Sequence, residues 1–193
     1  VVPVAKICFN PSVEVFHGVN RETAAMVDIN GDGYPDFLKS KKDDELTIRL
    51  SSIGKTNLLR SVRRPLGASF EIEYERAGNT YGMPHSVWTM TGVKIFDGVA
   101  GNGADTMHNS FEYHDGVYNR NEREFFGFGT VITREHDILN GGIVYRSTVK
   151  QFDNSNFYEK GVLLAEHSED GQGNKYRESL YKYQLRDIHT GSP

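Results

Sequence analysis

Phe70-Glu71-Ile72-Glu73-Tyr74-Glu75 is the stretch that decides the fold class. Large apolar side chains alternate with carboxylates at every second position. An extended strand, whose successive side chains point to opposite faces, sorts such a series into one apolar and one wet face. The same period recurs outward. Upstream, Leu46, Ile48 and Leu50 alternate with Thr47 and Arg49, which reads as a strand with one wet face, and 23–27 reads as a short buried strand. Downstream, 93–96 reads as a strand, Phe111 and Tyr113 alternate with Glu112 and His114, and Asp115-Gly116 is a hairpin signal. Residues 122–134 then return as a long strand with Phe126, Phe128 and Ile132 on one face, where Gly127 and Gly129 predict a bend or bulge, or an aromatic packed over bare backbone. Asn140-Gly141-Gly142 marks another hairpin; 143–152, 161–167 and 174–185 continue the series. Near the start, 4–9 reads as a buried strand broken by Asn10-Pro11. Helix signals are nearly absent, so the expected class is all-β.

Glu71, Glu73 and Glu75 are read as a solvated strand face. Paired catalytic carboxylates need a cleft and a fixed separation that one strand face does not supply. Ser, His and Asp occur without a nucleophile elbow, and neither Asn102-Gly103-Ala104 nor Gly127-Phe128-Gly129 opens a helix that could cradle phosphate. The histidines, among them His17, His85, His108, His114 and His136, lack the helical spacing of a two-ligand metal site. His108 and His114 were the pair that could meet across a strand, with isolated histidines the plainer reading. Arg123 reads equally as an ordinary exposed strand residue or as one that stacks on an aromatic or pairs with a carboxylate. The expectation is a non-enzyme.

The nine residues Asp28-Ile29-Asn30-Gly31-Asp32-Gly33-Tyr34-Pro35-Asp36 carry the one cofactor expectation. Side-chain oxygens stand at Asp28, Asn30, Asp32 and Asp36, and Tyr34 offers a main-chain carbonyl. Calcium takes six to eight oxygens, and Gly31 and Gly33 permit the tight wrap it needs. An EF-hand is excluded, because its twelfth position is Lys39 rather than Glu and Pro35 breaks any helix. A strand–loop–strand calcium site remains, against the alternative of an Asx-rich turn that holds no ion.

The chain of 193 residues suits one large or two small domains. Ser51 to Lys55 reads as a junction, giving a propeller-blade-like segment over 1–51 and a second region over 52–193. A formal charge of −4 argues against a nucleic-acid partner, and the Arg60, Arg63, Arg64 cluster is short and followed by Pro65. Cys8 stands alone, so no internal disulfide is expected. No apolar run reaches membrane-spanning length. With Val1 first and no signal peptide visible, the sequence reads as a piece of a longer polypeptide.

Several motifs then fall in order. Asn57-Leu58-Leu59-Arg60-Ser61-Val62, Arg64-Pro65-Leu66-Gly67 and Phe70-Glu71-Ile72-Glu73-Tyr74 come first. Phe111-Glu112-Tyr113, Asp115-Gly116-Val117-Tyr118 and Glu122-Arg123-Glu124-Phe125-Phe126-Gly127-Phe128-Gly129 follow. Gln151-Phe152-Asp153, the run Asp170 to Tyr176 and Tyr181-Lys182-Tyr183 close the series. Together they resemble the middle region of Tc-toxin B components and the related virulence-plasmid B and Rhs-repeat proteins. A consensus Rhs repeat would have Tyr where Phe152 stands. The resemblance implies a β-propeller with calcium loops, followed by a long antiparallel sheet that winds into a hollow shell around a C-terminal toxic cargo. It implies a secreted or cell-surface protein whose partners are the rest of its own polypeptide and that cargo, and it carries no catalytic residue onto this chain. The rival reading is a calcium-dependent carbohydrate-binding β-sandwich adhesin or lectin that uses exposed Tyr, Trp88 and Asn-rich loops. A glycan-cleaving enzyme would rest on abundant carboxylates alone. Because unpaired edge strands invite pairing, a homodimer through those edges is a further expectation for the isolated chain.

Overall fold

The structure is a computed structural model that describes residues 23–42, 44–54, 56–99, 101 and 105–192. The strand expected over 4–9, the Asn10-Pro11 break, Cys8, His17 and the 102–104 loop lie outside these residues. Every described element is a strand. The chain divides into two compact units: the described residues up to Ile29 with Pro35–Ser52, and Asn30–Tyr34 with Ile53 onward.

The first unit is a three-stranded antiparallel sheet of β1 (Ala24–Val27), β2 (Asp36–Lys42) and β3 (Glu45–Arg49), in that order. Ala24 is buried, whereas Met26 and Val27 are exposed, so β1 is not the buried strand expected. Leu46, Ile48 and Leu50 are exposed as well, although their alternation predicted one sheltered face. Among the described residues β3 pairs only with β2. Its apolar side chains are sorted to one face, and no described layer covers that face.

The second unit is an eight-stranded antiparallel sheet built from β4 (Ser61–Arg63), β5 (Ser69–Ala77), β6 (Val87–Phe96), β7 (Thr106–Asn119), β8 (Glu124–Asp137), β9 (Ile143–Asp153), β10 (Val162–Asp170) and β11 (Lys175–Leu180). Spatial order equals sequence order, so every strand pairs with its chain neighbours and the connection is a simple meander. The alternation that decided the class is present in β5: Phe70, Ile72 and Tyr74 are part-buried, and Glu71, Glu73 and Glu75 are exposed. At about 3.4 Å per residue, the fourteen residues each of β7 and β8 span roughly 45 Å.

Five of the seven strand pairings slip by one residue. The unpaired extra residues are Thr91, Phe126, Tyr145, Leu164 and Tyr176, opposite β5, β7, β8, β9 and β10 respectively. Each bulge bends its strand and increases the local right-handed twist. Repeated along a sheet, bulges are the means by which curvature is introduced.

Gly127, with φ 116°, lies beside the Phe126 bulge, as the paired glycines predicted. The expected hairpin at Asp115-Gly116 does not form. β7 runs through it, and the chain reverses at 120–123, where Asn119 Oδ1 accepts the N–H groups of Asn121 and Glu122. Asp115 does adopt the left-handed conformation, φ 55°, but inside the strand. Gly129 makes this possible, since a Cβ there would lie 3.1 Å from that of Asp115. Two further differences are smaller: β6 starts at Val87 rather than near Val93, and β11 ends at Leu180 rather than Leu185.

Among the described residues the buried apolar side chains of the second unit are few: Met83, Phe126 and Ala165. Phe126 → Ala should therefore cost about 3–5 kcal/mol, the range for truncating a buried aromatic. Urea unfolding with unchanged m-value would report it; a loss under 1 kcal/mol, roughly the scale of an exposed site, would place the bulge outside the packed part of the sheet.

Candidate functional site

The residues expected to ligate calcium are divided between the two units. Asp28 and Asp36 belong to the first, and Asn30, Asp32 and Tyr34 to the second. In the first unit Asp36 is fully buried. Its Oδ2 accepts the Ile29 N–H at 3.1 Å and its Oδ1 the Ser51 N–H at 2.7 Å. A buried carboxylate is tolerated only when it is paired or hydrogen-bonded, and two main-chain donors supply that here. Asp36 thus ties the residues on either side of the small sheet.

In the second unit the Asn30–Tyr34 turn is held by Asx bonds. Asn30 Oδ1 accepts the Asp32 N–H at 3.0 Å, and Asp32 Oδ1 accepts the Tyr34 N–H at 2.8 Å. Such bonds define an Asx-rich turn. Gly31 and Gly33 adopt φ 73° and 81°. At Gly31 a side chain is excluded on two grounds, because a Cβ would also lie 2.2 Å from the amide of Asn79. That amide donates to the Asn30 carbonyl at 2.7 Å, while the Tyr34 hydroxyl donates to the Gly54 carbonyl at 3.2 Å.

The second oxygen of Asp32 meets a cation. Arg76 Nη1 lies 3.1 Å from Oδ2, which also accepts the Asn30 amide at 3.0 Å. The guanidinium carbon of Arg76 lies 4.9 Å from the Tyr34 ring centroid and 4.6 Å from that of Trp88, within cation–π range of both. Arg76 sits opposite Trp88 in the β5–β6 register. Among the described residues no group of three or more His, Cys, Asp and Glu side chains is arranged to hold a metal ion.

A second polar constellation crosses β5 to β8. Lys94 Nζ pairs with Glu73 at 2.9 Å, and Lys94 stands opposite His108. His108 stacks on His136, ring centroids 4.4 Å apart, and His136 bonds Ser110 Oγ at 2.8 Å and the Gly142 carbonyl at 2.9 Å. Burial, and then His136 and Lys94, push the His108 imidazole below its ordinary range. The pairing of His108 with His114 does not occur, since both lie on β7; strand register brings His136 to His108 instead. Arg123 is an exposed turn residue with φ 55°, and the aromatic-stacking cation near Phe126 is Lys160, 4.1 Å from the Phe157 centroid.

The fold and the resemblance are joined by direct comparison. The family model described as the insecticide toxin TcdB middle/N-terminal region matches residues 13–153, and the chain belongs to that family. No curated protein sequence matches. Among solved structures, the chain is similar to the crystal structures of TcdB2-TccC3-Cdc42 (16% identity, TM-score 0.55) and TcdB2-TccC3 (15%, 0.55). It is also similar to the Photorhabdus luminescens Tc holotoxin pore carrying a TccC3 mutation (15%, 0.54). In each case the match covers 76% of this chain and 10% of the other, so this chain spans about a tenth of their length.

The Tyr34 N–H, foremost, and then Asn30 and Arg76 hold the Asp32 carboxyl below its ordinary value of 3.8. A depressed folded-state pKa contributes stability that is full above the unfolded value and is lost as pH falls through the folded one. The emission of Trp88, the single tryptophan, should hold steady until the pH falls below 3.8. It should then change with a midpoint lower still. A transition at or above that value, absent in Asp32 → Asn, would show that the carboxylate is not engaged as described.

Proposed function

We propose that this chain is a structural segment of a secreted Tc-type toxin protein, forming part of the wall of a β shell around a toxic polypeptide. The observation that carries the reading is the eight-stranded meander with a bulge in five of its seven pairings, in a chain of the TcdB middle/N-terminal family. A wall needs continuity along its ladder and curvature across it. The meander supplies the first and the bulges favour the second. Large apolar side chains left exposed, such as Ile95 and Met107, are what a wall segment presents before the remainder of its polypeptide and its contents meet it. The similar structures pair TcdB2 with TccC3, and the enclosed partner of this chain is read as a polypeptide of that kind. The three-stranded unit is read as the last blade of a propeller preceding the wall. The chain acts by enclosing and catalyses nothing.

Of the exposed Tyr, Trp88 and Asn-rich loops that the rival adhesin would use, Trp88 has Arg76 over its ring, whereas Tyr81 and Tyr158 are exposed. The wall reading is tested on the two faces of the sheet. Ile95 and Met107 stand opposite each other on one face, while Glu71 projects from the other. Single cysteines at these positions, in a background of the intact parent toxin from which Cys8 and every other cysteine has been removed, should differ in labelling by a bulky hydrophilic maleimide. One face should react and the other be protected until the shell is denatured. Equal labelling of both faces would defeat the reading.

The sheet edges, β4 and β11, are where further strands would continue the wall. In the isolated chain these edges should pair with one another's copies, and light scattering should give a mass that rises with concentration. A strict monomer at high concentration would count against open edges.

A further inference from the structure

We infer that the cation answering Asp32 is the guanidinium of Arg76, so that the Asn30–Tyr34 turn closes on a protein side chain where the sequence pattern points to calcium. The inference does not depend on the wall reading. Calcium needs six to eight oxygens converging on one point. Here the side-chain oxygens of Asn30 and Asp32 already have protein partners: Asp32 Oδ1 holds the Tyr34 N–H, and Asp32 Oδ2 holds the Asn30 amide and Arg76. Asn30 Oδ1 holds the Asp32 N–H, and the Asn30 carbonyl holds Asn79. An ion taking Asp32 Oδ2 would have to compete there with the Arg76 guanidinium and the Asn30 amide. In the first unit the Asp36 carboxylate, with no exposed surface, is likewise engaged by two main-chain N–H groups.

Arg76 is suited to the place in ways a lysine would not be. Its guanidinium is charged at every working pH, is weakly hydrated, and offers flat faces for stacking. The guanidinium carbon lies over the Tyr34 and Trp88 rings while Nη1 meets Asp32. Its Nε is buried without a hydrogen-bond acceptor, as expected where the surroundings are ring faces rather than oxygens. Arg76 also lies at the end of the series Phe70, Ile72, Tyr74, on the apolar face of β5, where an arginine without a partner would be costly.

The test is a thermal melt of the full chain in chelator and in millimolar calcium, for wild type, Arg76 → Gln and Arg76 → Lys, with Trp88 emission recorded. Wild type should melt at the same temperature in both buffers with unchanged Trp88 emission. R76Q should melt several degrees lower in chelator and recover part of the loss in calcium; R76K should fall between wild type and R76Q. Two results would overturn the inference. One is a wild-type melt that drops on chelation together with a calcium-saturable change in Trp88 emission. The other is an R76Q melt equal to wild type in chelator. Should R76Q fail to fold, R76K and the wild-type emission titration decide the matter by the same criteria.

Discussion

The main-chain ladder of the eight-stranded sheet is the constraint on which the second unit depends. A two-layered domain can tolerate a weak strand because the opposite layer holds it. Here fully buried apolar side chains are scarce, and hydrogen bonding between chain neighbours carries more of the structure. Polar pairs across adjacent strands add to that ladder. Lys94 with Glu73, Arg134 with Glu112, and Arg146 with Glu135 each tie adjacent strands. Exposed ion pairs contribute little singly, typically under about 1 kcal/mol. Their value in a sheet lies in fixing register, because a slip of one residue would move every side chain to the wrong face.

The same economy appears at Asp32 and Asp36. Both belong to the stretch expected to form one calcium loop, and each has its own protein partners. Asp36 accepts main-chain N–H groups inside the small sheet, and Asp32 meets an arginine from β5. The charge pattern of a calcium loop and that of an Asx turn with an arginine partner are alike in a sequence. The difference resides in a residue far along the chain.

How much was legible follows from this. Period-two alternation and paired glycines are local, so the class, β5 and the bulge beside Gly127 could be read directly. The reversal at 120–123 could not, because it contains no glycine and uses Arg123 in the left-handed conformation, whereas Asp115-Gly116 advertises a turn that strand pairing overrides. The pairing of His108 with His136 depends on register between strands, which no local pattern specifies. Arg76 did leave a signal: it continues the apolar face of Phe70, Ile72 and Tyr74, and a charge on an apolar face asks for a partner. Exposure of Leu46, Ile48 and Leu50 was illegible for the opposite reason, since alternation tells which side chains share a face and not whether anything covers it.

The meander has a consequence for how such a sheet comes into being. β structure usually folds slowly because its contacts join distant parts of the chain. Here each strand waits only for the next one, and the loops to be closed are short, which keeps the entropy of closure low. The sheet can therefore grow in the order in which the polypeptide emerges, adding one edge at a time. It can also come apart in the reverse order, from β11 inward, without disturbing the strands already laid down.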